Sequence, residues 1–133
     1  MIFNLEDQHA FQTEGHFGKL HISTDESLGF KPIELFLSSM AGCSGSMLLH
    51  LLKKKRISIS DLQMSVSAER DSGAANRISA LLITAELFTP DTLSVHQNEQ
   101  LSELVIKNCG MLQTISGNTS VDFKINLRSQ KDA

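Results

Sequence analysis

Tryptophan and tyrosine are absent from this chain of 133 residues, and its seven phenylalanines are scattered. We therefore expect no aromatic platform on which nucleic-acid bases could stack. A surplus of basic residues is lacking as well, because 12 Lys and Arg stand against 15 Asp and Glu and the net charge is −3. Only residues 53–56 form a basic cluster. These absences predict a protein that does not bind nucleic acid.

Proline is also scarce, with two residues, and no linker rich in Pro, Gly or Ser divides the chain. The sequence contains no long internal repeat. Its composition, 41% hydrophobic and 20% charged, is typical of a globular protein. A chain of this length has room for one hydrophobic core. We therefore predict a single domain over residues 1–133.

Cysteine occurs at only two positions, Cys43 and Cys109, which lie far apart in the sequence. The N-terminus has no pattern of a secretory leader, because the acidic residues Glu6 and Asp7 follow the first methionine closely. This predicts a cytoplasmic protein. In a reducing compartment, two distant cysteines are either inert buried thiols or a redox pair. The residues alone leave both interpretations open.

The histidines do not form a metal-binding pattern. His9, His16 and His21 fall in the N-terminal part, but their spacing matches no compact zinc signature, and no second group of Cys and His accompanies them. We therefore expect neither a metal site nor a cofactor.

Residues 33–52 form a long apolar stretch in which Glu34 is the only acidic residue and His50 the only basic one. The stretch has the length of a membrane-spanning helix. Its serines and glycines, and the polar strand patterns around it, favour a buried helix of a domain that does not enter a membrane. Pro32 and Glu34 suit the first turn of this helix, and the cations of residues 53–56 suit its end.

Alternating polar and apolar residues predict strands in the rest of the chain. A second helix is expected before Gly110, at which it should end. The order of strands and helices predicts an α+β fold. The expected extended segments are an N-terminal hairpin or meander within 10–23, a hairpin of 62–69 with a central strand 78–88 covered on both faces, a segment 111–115 and a last strand 121–127.

Cys43 lies in a run of small residues, Ala41-Gly42-Cys43-Ser44-Gly45-Ser46, inside the long apolar helix. Small neighbours allow either a close approach by another element or access of a small substrate to the sulfur. A thiol becomes a good nucleophile when a cation or hydrogen bond lowers its pKa. His50 is about 10 Å away along the helix axis and is interpreted as structural. Cys109 ends the second helix beside a glycine, where it could be exposed.

Four segments together resemble the OsmC/Ohr family of thiol-dependent, peroxide-detoxifying proteins. They are K-P-I-E-L-F-L-S-S-M-A-G-C at 31–43, K-K-K-R-I at 53–57, S-A-E-R at 67–70 and K-N-C at 107–109. The resemblance implies an OsmC-like fold of antiparallel sheets with two main helices. It also implies an intertwined homodimer with an active site at the subunit interface. Residues 1–28 would contribute to the dimer, and residues 29–128 would form the core.

The resemblance further implies a two-cysteine peroxidase that reduces organic hydroperoxides or hydrogen peroxide. Cys43 would attack the peroxide, Cys109 would form a disulfide with the oxidised Cys43, and an external thiol reductant would reset the pair. Lys31, Glu34 and Arg70 are candidates for supporting roles.

The sequence also departs from the pattern of the hydroperoxide-reducing members of the family. These members have a glutamate ten positions before the first cysteine, where this chain has Ile33, and an arginine in the N-terminal sheet, whereas no arginine here precedes Arg56. A lysine does not reproduce the planar, two-pronged contact of an arginine. The departures motivate an alternative interpretation, a protein of the same fold that binds a small apolar or thiol-reactive ligand without turnover.

Overall fold

The computed structural model describes residues 1–129, so the last four residues of the predicted single domain lie outside the described part. The fold is α+β, as predicted, with two three-stranded sheets and three helices in this part of the chain. The elements in chain order are β1 (Asn4–Asp7), β2 (Ala10–Glu14), β3 (Lys19–Ser23), α1 (Pro32–Lys54), β4 (Asp61–Asp71), β5 (Arg77–Phe88), α2 (Val95–Asn108), α3 (Gly110–Ile115) and β6 (Ser120–Arg128).

The chain divides into two compact units, the first comprising Met1–Ser38 and the second beginning at Ser39. In the first unit, β1, β2 and β3 form an antiparallel meander, which confirms the N-terminal prediction. Gly29 is required beside this sheet, because a Cβ atom there would lie 2.7 Å from the carbonyl oxygen of His21. Large apolar side chains of this unit are exposed, among them Phe11 and Phe17.

The second unit contains the sheet β4–β5–β6. Strands β4 and β5 form the predicted antiparallel hairpin, and Ala75 and Asn76 in its turn adopt left-handed φ angles of 57° and 56°. Strand β6 differs from the expected antiparallel arrangement, because it pairs with β5 in parallel. The physical reason is the connection: α2 and α3 carry the chain back along the sheet before β6 begins, as a parallel pair requires.

Strand β5 is central, as predicted, but it is covered on one face only within the described chain. Leu81, Ile83, Ala85 and Leu87 alternate along the strand and are at most 1% exposed, so they form the core of this unit. Leu82 points to the opposite face and is 38% exposed. The prediction that both faces are covered is therefore wrong for the chain by itself.

Helix α1 begins at Pro32, as predicted, and buries one stripe of side chains that includes Met40, Ser44, Leu48 and Leu52. The helix is long and apolar enough to cross a bilayer by length and composition, with a mean hydropathy of 1.5 over its most apolar window. Only 28% of that window is buried. Several of the remaining apolar side chains of α1 are half-buried, among them Phe36, Met47 and Leu51, and Leu49 is 44% exposed.

Helix α2 begins after Ser94, whose hydroxyl accepts a hydrogen bond from the backbone N–H of Gln97, while the Gln97 side chain accepts from the N–H of Ser94. The helix ends before Cys109, whose backbone is extended at φ −81° and ψ 111°. The chain then re-enters a helix, because the N–H of Gln113 donates to the carbonyl of Cys109. Gly110 therefore starts α3 instead of ending α2, and residues 111–115 are helical, which corrects the predicted extended segment.

Candidate functional site

The structure brings the two cysteines into contact. The Sγ atoms of Cys43, on α1, and Cys109, at the junction of α2 and α3, are 3.0 Å apart, although 66 residues separate them in the sequence. The thiol of Cys109 donates a hydrogen bond to the sulfur of Cys43. Both cysteines are free thiols. Two sulfurs in contact need to move by only about 1 Å to reach the bond length of a disulfide.

The small residues beside Cys43 serve different purposes. Gly45 is buried, and a Cβ atom there would lie 3.4 Å from the side chain of Met64, so the glycine allows α1 to approach β4 closely. A Cβ atom on Gly42 would meet nothing within 4 Å, so this glycine is not required by packing. The Ser44 hydroxyl donates to the carbonyl of Met40 within the helix. The helix is therefore closely packed at Gly45, on one side of Cys43, and faces open space at Gly42, on the other side.

The environments of the two thiols differ. Cys109 is completely buried, whereas Cys43 is half-buried. This corrects the expectation that the end of α2 exposes Cys109. Burial raises the pKa of the Cys109 thiol, and the hydrogen bond to Cys43 raises this pKa further. The backbone N–H groups of Leu112 and Met111 point toward the Cys109 sulfur and offset part of the increase, although neither makes a regular capping hydrogen bond. The net increase in pKa keeps Cys109 in the thiol form at neutral pH.

The other candidate residues have local partners or lie exposed. The Glu34 carboxylate accepts a hydrogen bond from the backbone N–H of Lys31 at 3.0 Å, so it caps the start of α1. The Lys31 ammonium group lies 3.2 Å from the carboxylate of Glu26. Arg70 is exposed near the turn end of β4, opposite Ile78. Supporting roles of these three residues in thiol chemistry stay predictions.

A groove between α1 and α2 was not predicted from the sequence. We call it the α1–α2 groove, and it is lined by Met47, His50, Leu51, Lys54, Lys55, Leu104 and Asn108. The sequence did indicate the residues of α1 that line this groove. Met47, His50 and Lys54 follow Cys43 at intervals of about one helical turn and therefore lie on the same face of α1. The position of α2 against this face could not be read from the sequence. Among residues 1–129, no group of three or more His, Cys, Asp or Glu side chains could hold a metal ion.

The family model described as OsmC, OsmC-like protein, matches residues 23–124. A comparison with curated proteins gives no match. Among solved structures, a hypothetical protein from Aquifex aeolicus is similar, with a TM-score of 0.83, 20% identity and coverage of 98% of this chain and 96% of that one.

Two further similar structures are described as organic hydroperoxide resistance proteins. The protein from Legionella pneumophila has a TM-score of 0.72 and 20% identity, with 94% and 95% of the two chains covered. The OhrB protein of Bacillus subtilis has a TM-score of 0.68 and 19% identity, with 94% and 96% covered. The TM-scores show that these proteins share the fold of this chain. Since the family model spans most of the sequence, this chain belongs to the OsmC-like protein family.

Proposed function

We propose that this protein is a thiol peroxidase that reduces organic hydroperoxides or hydrogen peroxide with Cys43 and Cys109. The observation that carries the proposal is the 3.0 Å contact between the two sulfurs, because a two-cysteine mechanism needs thiols that can form a disulfide. Membership of the OsmC-like family and the hydroperoxide resistance described for two structural relatives support a redox role.

Cys43 is the better candidate for the attack on peroxide. Its side chain is half-buried, so a small oxidant has a route to the sulfur, whereas Cys109 has none. The S–H group of Cys109 donates a hydrogen bond to the Cys43 sulfur, so the second thiol already lies beside the sulfur that would be oxidised.

In the first step, the Cys43 thiolate attacks one peroxide oxygen and the O–O bond breaks. The sulfur loses two electrons and becomes a sulfenic acid, while the leaving oxygen takes up a proton and departs as an alcohol, or as water from hydrogen peroxide. In the second step, the sulfur of Cys109 attacks the sulfenic sulfur. The departing hydroxide takes up the proton from Cys109 and leaves as water, and a Cys43–Cys109 disulfide remains.

The cycle closes when an external thiol reductant attacks the disulfide. A dithiol supplies two electrons and two protons, becomes a disulfide itself and returns both cysteines to thiols. Cys43 is the more accessible sulfur of the pair for this attack.

Thiol counting after peroxide addition tests the proposal. One equivalent of cumene hydroperoxide added to the reduced protein should remove both thiols and lower the intact mass by the two hydrogens lost in the disulfide. In the matched variant Cys109→Ser, the reaction should stop at a sulfenic acid on Cys43 that dimedone traps. In Cys43→Ser, the remaining thiol should persist. A wild-type protein in which Cys43 stays reduced at this peroxide concentration refutes the peroxidase proposal.

We also propose that the protein works as a cytoplasmic homodimer. Exposed large apolar side chains, Leu49 on α1 and Phe11 and Phe17 in the N-terminal unit, support self-association, because a partner subunit would remove them from water. Two unpaired thiols in contact suit a reducing compartment. Sedimentation equilibrium of the reduced protein tests the dimer directly, and a monomer over the whole micromolar range would exclude it.

The alternative, a binding protein without turnover, has one observation in its favour. The carboxylate of Glu34 is occupied at the start of α1, and Ile33 has no acidic group to orient a cation near the thiol. The two proposals separate in the same thiol count. A binding protein would lose Cys43 to a thiol-reactive ligand without forming the Cys43–Cys109 disulfide and without turnover when a dithiol is supplied.

A further inference from the structure

The contact between the two sulfurs depends on a break between two helices. Cys109 is the single residue between α2 and α3, and its backbone is extended, with φ −81° and ψ 111°. An α-helical residue has a ψ of about −42°, so the chain changes direction at Cys109. The Sγ atom of this residue lies 3.0 Å from that of Cys43. A rotation of α3 against α2 would therefore change the distance between the two sulfurs.

A side chain of α3 bridges this break. The amide nitrogen Nε2 of Gln113 donates a hydrogen bond of 2.8 Å to the carbonyl of Ile106, in the last turn of α2. In a continuous helix, the backbone N–H of residue 110 would donate to this carbonyl. The backbone N–H of Gln113 also donates to the carbonyl of Cys109, at 2.9 Å. Gln113 is therefore bonded to α2 through its side chain and to Cys109 through its backbone.

The neighbouring polar side chains form hydrogen bonds within their own helix. Asn108 donates to the carbonyl of Leu104 on α2, and the hydroxyl of Thr114 donates to the carbonyl of Gly110 on α3. Within the described residues, Gln113 therefore makes the one side-chain hydrogen bond that joins α2 to α3. Gln113 is exposed, so its replacement leaves no cavity in the core.

We propose that Gln113 is a positioning residue that holds the Cys109 sulfur beside Cys43. Its side chain fixes the angle between α2 and α3 and acts through the backbone of the junction, not on the reacting atoms. The proposal rests on the proposed two-cysteine mechanism, because it assigns Gln113 to the second step. Formation of the disulfide should depend on this hydrogen bond, whereas the attack of Cys43 on peroxide should not.

An equilibrium with glutathione tests the positioning role without peroxide. Glutathione disulfide takes two electrons and two protons from the two thiols and leaves as two molecules of glutathione, while the Cys43–Cys109 disulfide forms. Gln113→Met keeps the length of the side chain but has no donor. It should lower the equilibrium constant about fivefold, because the thiols at a freer junction are in contact for a smaller part of the time. Gln113→Lys supplies an ammonium donor to the open carbonyl, and the control Thr114→Val removes a hydrogen bond inside α3, so both should stay within about twofold of the wild type.

Peroxide addition in the presence of dimedone then separates the two steps. In Gln113→Met, the ratio of dimedone-labelled Cys43 to disulfide should rise about fivefold, at an unchanged rate of peroxide consumption in the first turnover. The positioning role is overturned if Gln113→Met stays within about twofold of the wild type in the glutathione equilibrium, if Thr114→Val shows the same loss, or if lysine does not restore the equilibrium. The expected glutathione result in a wild-type protein that does not reduce cumene hydroperoxide would overturn the peroxidase proposal and still support the positioning role of Gln113.

Discussion

Oxidation of the two cysteines to a disulfide should stabilise the fold strongly. The contact distance of 3.0 Å means that the bond forms with a small movement of the two sulfurs, so little strain opposes it. The cross-link would join residues 66 positions apart and restrict the unfolded chain accordingly. The loop-closure model gives about 4 kcal/mol for a loop of this length. For a domain of this size, that corresponds to a rise in melting temperature on the order of 10 °C.

Thermal unfolding of reduced and oxidised protein, followed by circular dichroism at one protein concentration, measures this effect. The single variants Cys43→Ser and Cys109→Ser are the matched controls, because each removes one sulfur and neither should respond to the oxidant with a higher melting temperature. An oxidised wild-type protein that contains the disulfide but melts at or below the temperature of the reduced form would refute the reasoning. It would mean that closing the bond distorts the fold, and therefore that the sulfurs are not neighbours in the native state.

Three further predictions follow from individual contacts. Burial raises the pKa of Cys109, so the folded state keeps this proton at pH values where the unfolded chain loses it. The free energy of unfolding, measured by urea titration, should therefore fall as pH rises above about 8.5. The variant Cys109→Ala should lack this part of the decrease. Gly29→Ala should destabilise the protein by about 1–3 kcal/mol, since the added methyl group would overlap the backbone of His21. Gly42→Ala lies on an open helical face and should be neutral or stabilising by up to about 1 kcal/mol. Equal melting temperatures for the two variants would contradict this expectation. Ser94→Ala should lower the free energy of unfolding by about 1 kcal/mol, because it removes the N-terminal cap of α2. Ser94→Asp keeps a capping oxygen, so its free energy of unfolding in the same denaturation assay should be close to that of the wild type.

Local signals in the sequence were sufficient for most of the elements. Pro32 marked the start of α1, and the alternation of residues 62–69 gave β4, because each signal acts through neighbouring residues along the chain. The parallel pairing of β6 was not predictable in this way, since it depends on where α2 and α3 return the chain to the sheet. The short helix α3 was missed because glycine is strongly enriched just after the end of a helix. Gly110 therefore indicated the end of α2 and not the start of another helix.

The contact between the two cysteines could not be predicted from local signals in the sequence either. The sequence alone left Cys43 and Cys109 as either inert thiols or a redox pair, and only the resemblance to a family placed them together. Their contact depends on α1 meeting the α2–α3 junction, which is a property of tertiary packing. The complete burial of Cys109 was missed for the same reason, because the end of a helix is exposed or buried according to what packs on it.

The parallel pairing of β5 and β6 has a consequence for synthesis of the protein. Strand β5 receives its second neighbour only after α2, α3 and the final strand have left the ribosome, because β6 is the last element of the described chain. Until then, the backbone groups along one edge of β5 are without their native partners, next to the apolar residues 81–83. A nascent or truncated polypeptide that stops before Ser120 should therefore aggregate readily, and chaperone capture should be strongest in that interval.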